Sequence, residues 1–294
     1  MTKQKTLVFF GAHPDDESFG IGCTLAQYGA SGVKTYYVCS TGGEVGTVAC
    51  EHLSTYSTIE KLRSAELECA ARVLGLTGVF YLGYRDSGMQ GSGDNKHPDS
   101  LVMAPVEEVV GRAIKIIRDI KPDVVITHNS DGGYGHPDHI ATHNAIVKAF
   151  FAAGDSTQYP EAGPVFVPRK LYFGVRSRKI MKIIIRLMPL FGQDPHHFGR
   201  NGDVDLTKIT GVEYPVHAVI GLNKQAIEIR NKAVACHASQ SSGGRRPWLF
   251  RVIEAIERIR GSRDCFMRAY PPPTARCKEL DLFEGITNQA NCGY

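Results

Sequence analysis

Thr6–Glu17 reads TLVFFGAHPDDE, and Pro122–His139 reads PDVVITHNSDGGYGHPDH. Each begins with a short apolar run, rich in β-branched residues, of the kind that forms a central strand buried on both faces. The first passes into His13-Pro14-Asp15-Asp16-Glu17. The second, ending at His128, reaches His136-Pro137-Asp138-His139 across a short glycine-rich loop. Two strand ends therefore deliver imidazoles and carboxylates into one region. In an open α/β sheet, ligands bind in the crevice beyond the carboxyl ends of the strands, so this concentration predicts a divalent-metal site.

Working outward, strands are expected at Thr6–Phe10, Lys34–Cys39, Val79–Leu82 and Val124–Thr127. They alternate with helices near Gly20–Gly29, Ile59–Leu74, Pro105–Ile120 and Asp138–Ala152. Four consecutive β-α units imply right-handed crossovers and a Rossmann-like, doubly wound, mostly parallel α/β sheet with the metal site at the C-terminal strand ends. Residues 1–152 form this core. Ala153–Pro168 is rich in Pro and Gly and reads as a linker, a strand follows at Lys170–Val175, and 153–294 is expected to complete the substrate cleft within the same domain. The long loops Gly42–Ser57 and Arg85–Ala104 both follow strands and should wall the crevice. No Gly-x-Gly-x-x-Gly follows the first strand, which argues against dinucleotide binding.

A catalytic zinc takes three protein ligands from His and Asp/Glu and keeps a position for water. His13 and Asp16, three apart in a turn stiffened by Pro14, face one ion, and His139 supplies the third ligand. A bound metal lowers the pKa of its water to roughly 7, and Asp15, pointing elsewhere in the same turn, is the candidate base. His136, with Asp138 as its orienting partner, is placed to stabilise an oxyanion and protonate a leaving amine. Two His and one carboxylate also suit ferrous iron.

These residues carry a family resemblance. AHPDDE at Ala12–Glu17, LGYRDSGM at Leu82–Met89 and GGYGHPDH at Gly132–His139 together resemble the PIG-L/LmbE-like zinc-dependent N-acetylglucosaminyl deacetylases, in particular the branch with the mycothiol-pathway deacetylase and S-conjugate amidase. NKAVACHASQ at Asn231–Gln240 resembles that family's C-terminal pattern more weakly. The resemblance implies zinc on His13, Asp16 and His139, Asp15 as base, and His136 as electrostatic and acid partner. It adds Tyr134 to polarise the substrate carbonyl, and Arg63, Asp86 and Glu44 to hold sugar hydroxyls. Spacing alone leaves Arg63 as an ion pair with Glu60 and Glu66, three residues either side on a helix.

At 294 residues and 43% hydrophobic content the chain can bury a sizeable core, and 34 basic against 30 acidic residues give no case for a nucleic-acid partner. MTKQK runs straight into a strand with no secretory signal, and eight cysteines without a Cys-x-x-Cys pair read as reduced and mostly buried, in keeping with a cytoplasmic protein. Arg176–Leu190, basic and apolar, is too short and charged to span a bilayer. It is expected to line the cleft or a homo-oligomer interface, with attachment to a membrane surface as the alternative. His196-His197 is left out of the site, and Ile253–Ile259 reads as a solvated amphipathic helix.

The expected activity is removal of an acetyl group from an N-acetylglucosamine-containing small molecule or glycoconjugate. An amidase acting on a thiol S-conjugate keeps the chemistry and changes the substrate. A non-catalytic, metal-stabilised sugar-binding module is the competing class, disfavoured by an intact Asp15 that it would not need.

Overall fold

The computed structural model describes residues 4–175, 178–197, 205–207, 212–240, 261–274 and 278–286. Seven strands form one sheet: β1 Thr6–Gly11, β2 Lys34–Thr41, β3 Gly78–Tyr84, β4 Val124–Thr127, β5 Lys170–Val175, β6 Ala218–Gly221 and β7 Arg263–Tyr270. The helical segments are α1 Asp16–Phe19, α2 Gly22–Ala30, α3 Ile59–Leu74, α4 Val106–Ile120, α5 Gly132–Gly135, α6 Pro137–Ala152, α7 Arg178–Leu187 and α8 Lys224–Cys236. The spatial order β3-β2-β1-β4-β5-β7-β6 is parallel from β3 to β5, and β7 runs antiparallel to both of its neighbours.

β1 reads TLVFFG and every residue of it is buried, as a strand covered on both faces requires. Val8 and Phe10 pack with residues of α4 and α6 such as Ile114 and Ile146, while Leu7 and Phe9 join the opposite cluster with Leu25 of α2 and Leu67 of α3. Removing the Phe10 ring from such a core would cost about 3–5 kcal/mol. The limits of α3 are local: the Thr58 side chain accepts from Lys61 N–H at the start, and Gly75 ends it in the left-handed region at φ 71°.

The chain winds outward from β1 to β3 and returns on the other side of β1 as β4. The order therefore reverses between β1 and β4, the point where open α/β sheets bind ligands. The stretch after α6 is packed rather than a free linker. Arg118, 2% exposed, donates to the carbonyls of Ala152, Ala153, Asp155, Gln158, Tyr159 and Gly163, because six backbone acceptors offset the desolvation of its charge. β5, β6 and β7 extend the same sheet.

One sequence expectation is corrected. Cys69 of α3 and Cys236 of α8 form a disulfide, with Cα atoms 5.8 Å apart, so not all cysteines are reduced. Two residues separated by 167 positions in sequence meet because α8 packs on α3. The Arg176–Leu190 segment contains α7, yet Ile183 and Leu190 remain 61% and 76% exposed, so its apolar residues are not all drawn into the body. Among the described residues no helix is long and apolar enough to cross a membrane. Ile253–Ile259 lies outside the described residues.

Candidate metal centre

His13 and Asp16 stand on the turn that follows β1, and His139 on the first turn of α6 after β4. One nitrogen or oxygen from each lies within 4.8 Å of the others. His13 Nδ1 is 3.2 Å from His139 Nε2, and Asp16 Oδ1 is 3.5 Å from the same His139 nitrogen. Two nitrogens bound at about 2.0–2.1 Å to a tetrahedral ion sit about 3.3 Å apart, so the spacing suits zinc without rearrangement.

Hydrogen bonds around the rings decide which atoms face inward. His139 donates its Nδ1–H to the Gly132 carbonyl at 3.1 Å, leaving Nε2 bare. His13 Nε2 lies 3.3 Å from Asp138 Oδ2 and 3.6 Å from Asp86 Oδ1, which leaves Nδ1 for a cation. A metal-bound histidine commonly gives its other N–H to a carboxylate or carbonyl in this way. His13, Asp86, His136 and Asp138 form a second group of close donors. That group shares His13, and Asp138 already accepts from the Ser87 backbone N–H and hydroxyl, so its carboxylate acts as support for the ring.

The close approach at this turn depends on a glycine. Gly132 has φ 66°, and a Cβ there would stand 2.9 Å from His139 Cβ. The same loop lays Tyr134, 37% exposed, edge-on to the rings of His139 and His136 at 5.0 and 5.9 Å.

Electrostatics are dominated by burial and by mutual contact. Burial opposes charge on His13, but Asp86, Asp138 and Asp16 override it and raise its pKa well above the ordinary value. Asp16 is half-buried and desolvation opposes its charge, yet His139, His128 and His13 hold its carboxyl well below the usual range. Burial and the His13 charge push His136 down to about 3, so that ring is neutral at pH 7. Its Nδ1 accepts from Asp138 N–H at 3.2 Å, which puts its proton on Nε2.

Asp15 is held with its backbone at φ 146°, a conformation that non-glycine residues seldom adopt and that clusters at functional sites. Burial raises its pKa to about 6, although Arg63 pulls the other way.

Several expected partners are arranged differently from the sequence reading. Asp138 touches His136 only through its backbone N–H. Its carboxylate turns to His13 and Ser87, because His136 caps α6 and folds back over the helix start while residue 138 points off another side. Arg63 forms no ion pair with Glu60 or Glu66. It is 3% exposed and donates to Gly43 O at 3.0 Å and to Pro14 O and Asp15 Oδ2 at 2.9 Å each, which turns it toward the turn after β1 rather than toward solvent. Asp86, 4% exposed, accepts from Gly88 N–H, and its own N–H donates to Glu44 Oε2 at 2.8 Å. His196 and His197 pair with Asp205 and Asp194 on the surface, apart from this group.

Three participants were not singled out from the sequence. His128, at the carboxyl end of β4, stacks on His139 with centroids 3.9 Å apart. His143, four residues after His139 on α6, donates Nδ1–H to the His128 carbonyl at 2.8 Å. His237, beyond α8, meets Glu17 Oε1 at 2.7 Å with both side chains fully buried. The position of His128 at a strand end, the His139-x-x-x-His143 spacing and the place of His237 in NKAVACHASQ were the available signals; nothing local points from His237 to Glu17.

A family model described as PIG-L, GlcNAc-PI de-N-acetylase, matches residues 8–150. The 1D-myo-inositol 2-acetamido-2-deoxy-alpha-D-glucopyranoside deacetylase of Geodermatophilus obscurus is 32% identical over 249 residues, covering 82% of this chain and 84% of the relative. The protein of the same description from Acidothermus cellulolyticus is 41% identical over 292 residues, covering 96% and 95%. Among solved structures, the N,N'-diacetylchitobiose deacetylase from Pyrococcus horikoshii has the same fold, with a TM-score of 0.60 at 20% identity over 90% of this chain and 84% of that one. With strand order, convergent donors and this extent of likeness together, the chain belongs to the PIG-L family.

Proposed function

We propose that this chain is a metal-dependent N-deacetylase that releases acetate from an N-acetylglucosamine-containing small molecule, with zinc held by His13, Asp16 and His139. The observation that carries the reading is the convergence of His13 Nδ1, His139 Nε2 and Asp16 Oδ1, with the outer ring nitrogens engaged elsewhere. The relatives' own substrate makes an inositol-linked N-acetylglucosaminide the first compound to try.

A bound divalent cation would polarise the acetamide carbonyl and acidify a water. Asp15 would accept a proton from the attacking water. With a pKa of about 6 it is ionised at neutral pH yet basic enough to act, which a binding module would not require. His136, neutral with its proton on Nε2, donates to the developing oxyanion together with the Tyr134 hydroxyl. The proton held on Asp15 is then available to the departing amine. Arg63 keeps Asp15 in its strained position, and the linked Glu44 and Asp86 offer carboxylates to sugar hydroxyls.

The test is acetate release from a panel of N-acetylated glucosaminides, inositol-linked and chito-oligosaccharide, beside a thiol S-conjugate. Each is measured after chelation and after return of zinc, or of ferrous iron under anaerobic conditions. Chelator-sensitive acetate release from a glucosaminide is expected. A metal-loaded protein that cleaves none of them would sink the proposal.

A further inference from the structure

We propose that His128 is a positioning residue that fixes Asp16 and His139 together as metal ligands. This rests on the metal centre proposed above and assigns a role to a side chain that the ligand set does not include.

Asp16 Oδ2 receives Ala12 N–H at 2.8 Å and His13 N–H at 2.9 Å, and His128 Nε2 stands 3.3 Å from the same oxygen. Ala12 N–H also donates to His128 Nε2 at 3.2 Å. The amide's shorter contact is to the charged oxygen, so a proton carried on Nε2 in place of the longer contact lets the imidazole donate to Oδ2. With two backbone N–H groups on Oδ2 and the imidazole beside it, Asp16 offers a cation the other oxygen, Oδ1, the atom that faces His139.

The same imidazole lies nearly parallel to His139, at 19° and 3.9 Å between centroids. His139 is thus held along one edge by the Gly132 carbonyl and across its face by His128. His128 is itself anchored, its carbonyl accepting from His143 and its ring meeting the edge of Phe9 at 5.8 Å. One side chain therefore constrains two ligands that belong to different strand ends.

The two contacts can be separated. His128→Phe keeps a ring to stack on His139 and removes the donor, whereas His128→Gln keeps a donor near the position of Nε2 and removes the ring. Zinc affinity is read by competition with a chromophoric chelator, and ligand geometry from the visible spectrum of the cobalt-substituted protein. His128→Phe is expected to weaken zinc binding roughly 10- to 100-fold and alter the cobalt spectrum, with His128→Gln recovering most of the affinity. If the His128→Phe chain does not fold, His128→Leu against His128→Gln makes the same comparison. A donor-free variant with the parent's affinity and spectrum overturns the proposal, as does a folded His128→Gln that binds no better than it. A parent protein that takes up neither zinc nor cobalt overturns the metal centre itself and this role with it, an outcome distinguished because the parent fails along with the variants.

Discussion

Asp138 Oδ2 lies 3.3 Å from His13 Nε2, and this contact decides which face of the first histidine looks into the site. The carboxylate is fully buried and accepts from the N–H and hydroxyl of Ser87, so it cannot swing away to water. It therefore holds one proton on Nε2 and leaves Nδ1 toward His139 and Asp16. The proposed metal centre is as much a property of Ser87 and Asp138 as of its three proposed ligands.

Removing Asp138 should therefore loosen the metal without removing a ligand. Asp138→Ala is expected to weaken zinc binding roughly 10- to 100-fold, while His13→Ala, Asp16→Ala and His139→Ala each lose stoichiometric metal. Metal analysis after dialysis against a graded chelator series ranks the four variants. An Asp138→Ala protein as tight as the parent would refute the support role.

In the proposed mechanism Asp15 acts on a proton and does not hold the ion. Asp15→Asn should keep its metal and lose about 10²- to 10⁴-fold in kcat. Arg63→Leu should also lower kcat with little change in KM, because its guanidinium is spent on Asp15, Pro14 and Gly43. A rise in KM at constant kcat would instead assign Arg63 to the sugar, and steady-state kinetics separates the two.

The buried pair His237–Glu17 makes stability depend on pH. Burial opposes charge on His237, but the Glu17 carboxylate prevails and raises its folded-state pKa above the ordinary 6.5. Protonated His237 therefore stabilises the fold fully below about pH 6.5, and that contribution is lost as pH rises through the raised value. Urea unfolding across this range should show a steeper decline in the parent than in His237→Gln. Equal slopes in the two would count against the charged pair.

The Cys69–Cys236 link closes a loop across 167 positions. Reduction, or Cys69→Ser, should cost about 2–5 kcal/mol in denaturant unfolding. Peptide mapping without reductant should recover the two cysteines in one cross-linked fragment; finding both as free thiols would contradict the link.

Much of the fold was legible in local pattern. Ile59–Leu74 and Val124–Thr127 match the observed limits because apolar period, the Thr58 cap and the turn residues act within a few positions of one another. The two histidine-aspartate quartets were visible for the same reason: each sits where a strand ends, and topology brings those ends to one switch point. Tertiary structure alone decided which nitrogen of each ring faces inward, that Asp138 supports His13 rather than His136, that Arg63 is buried on Asp15, and that His237 reaches Glu17. Those pairs lie 125, 48 and 220 residues apart in sequence for Asp138–His13, Arg63–Asp15 and His237–Glu17. A side chain's polarity reveals that it will need a partner; which partner it meets depends on how the helices pack and where the backbone carbonyls fall once they have.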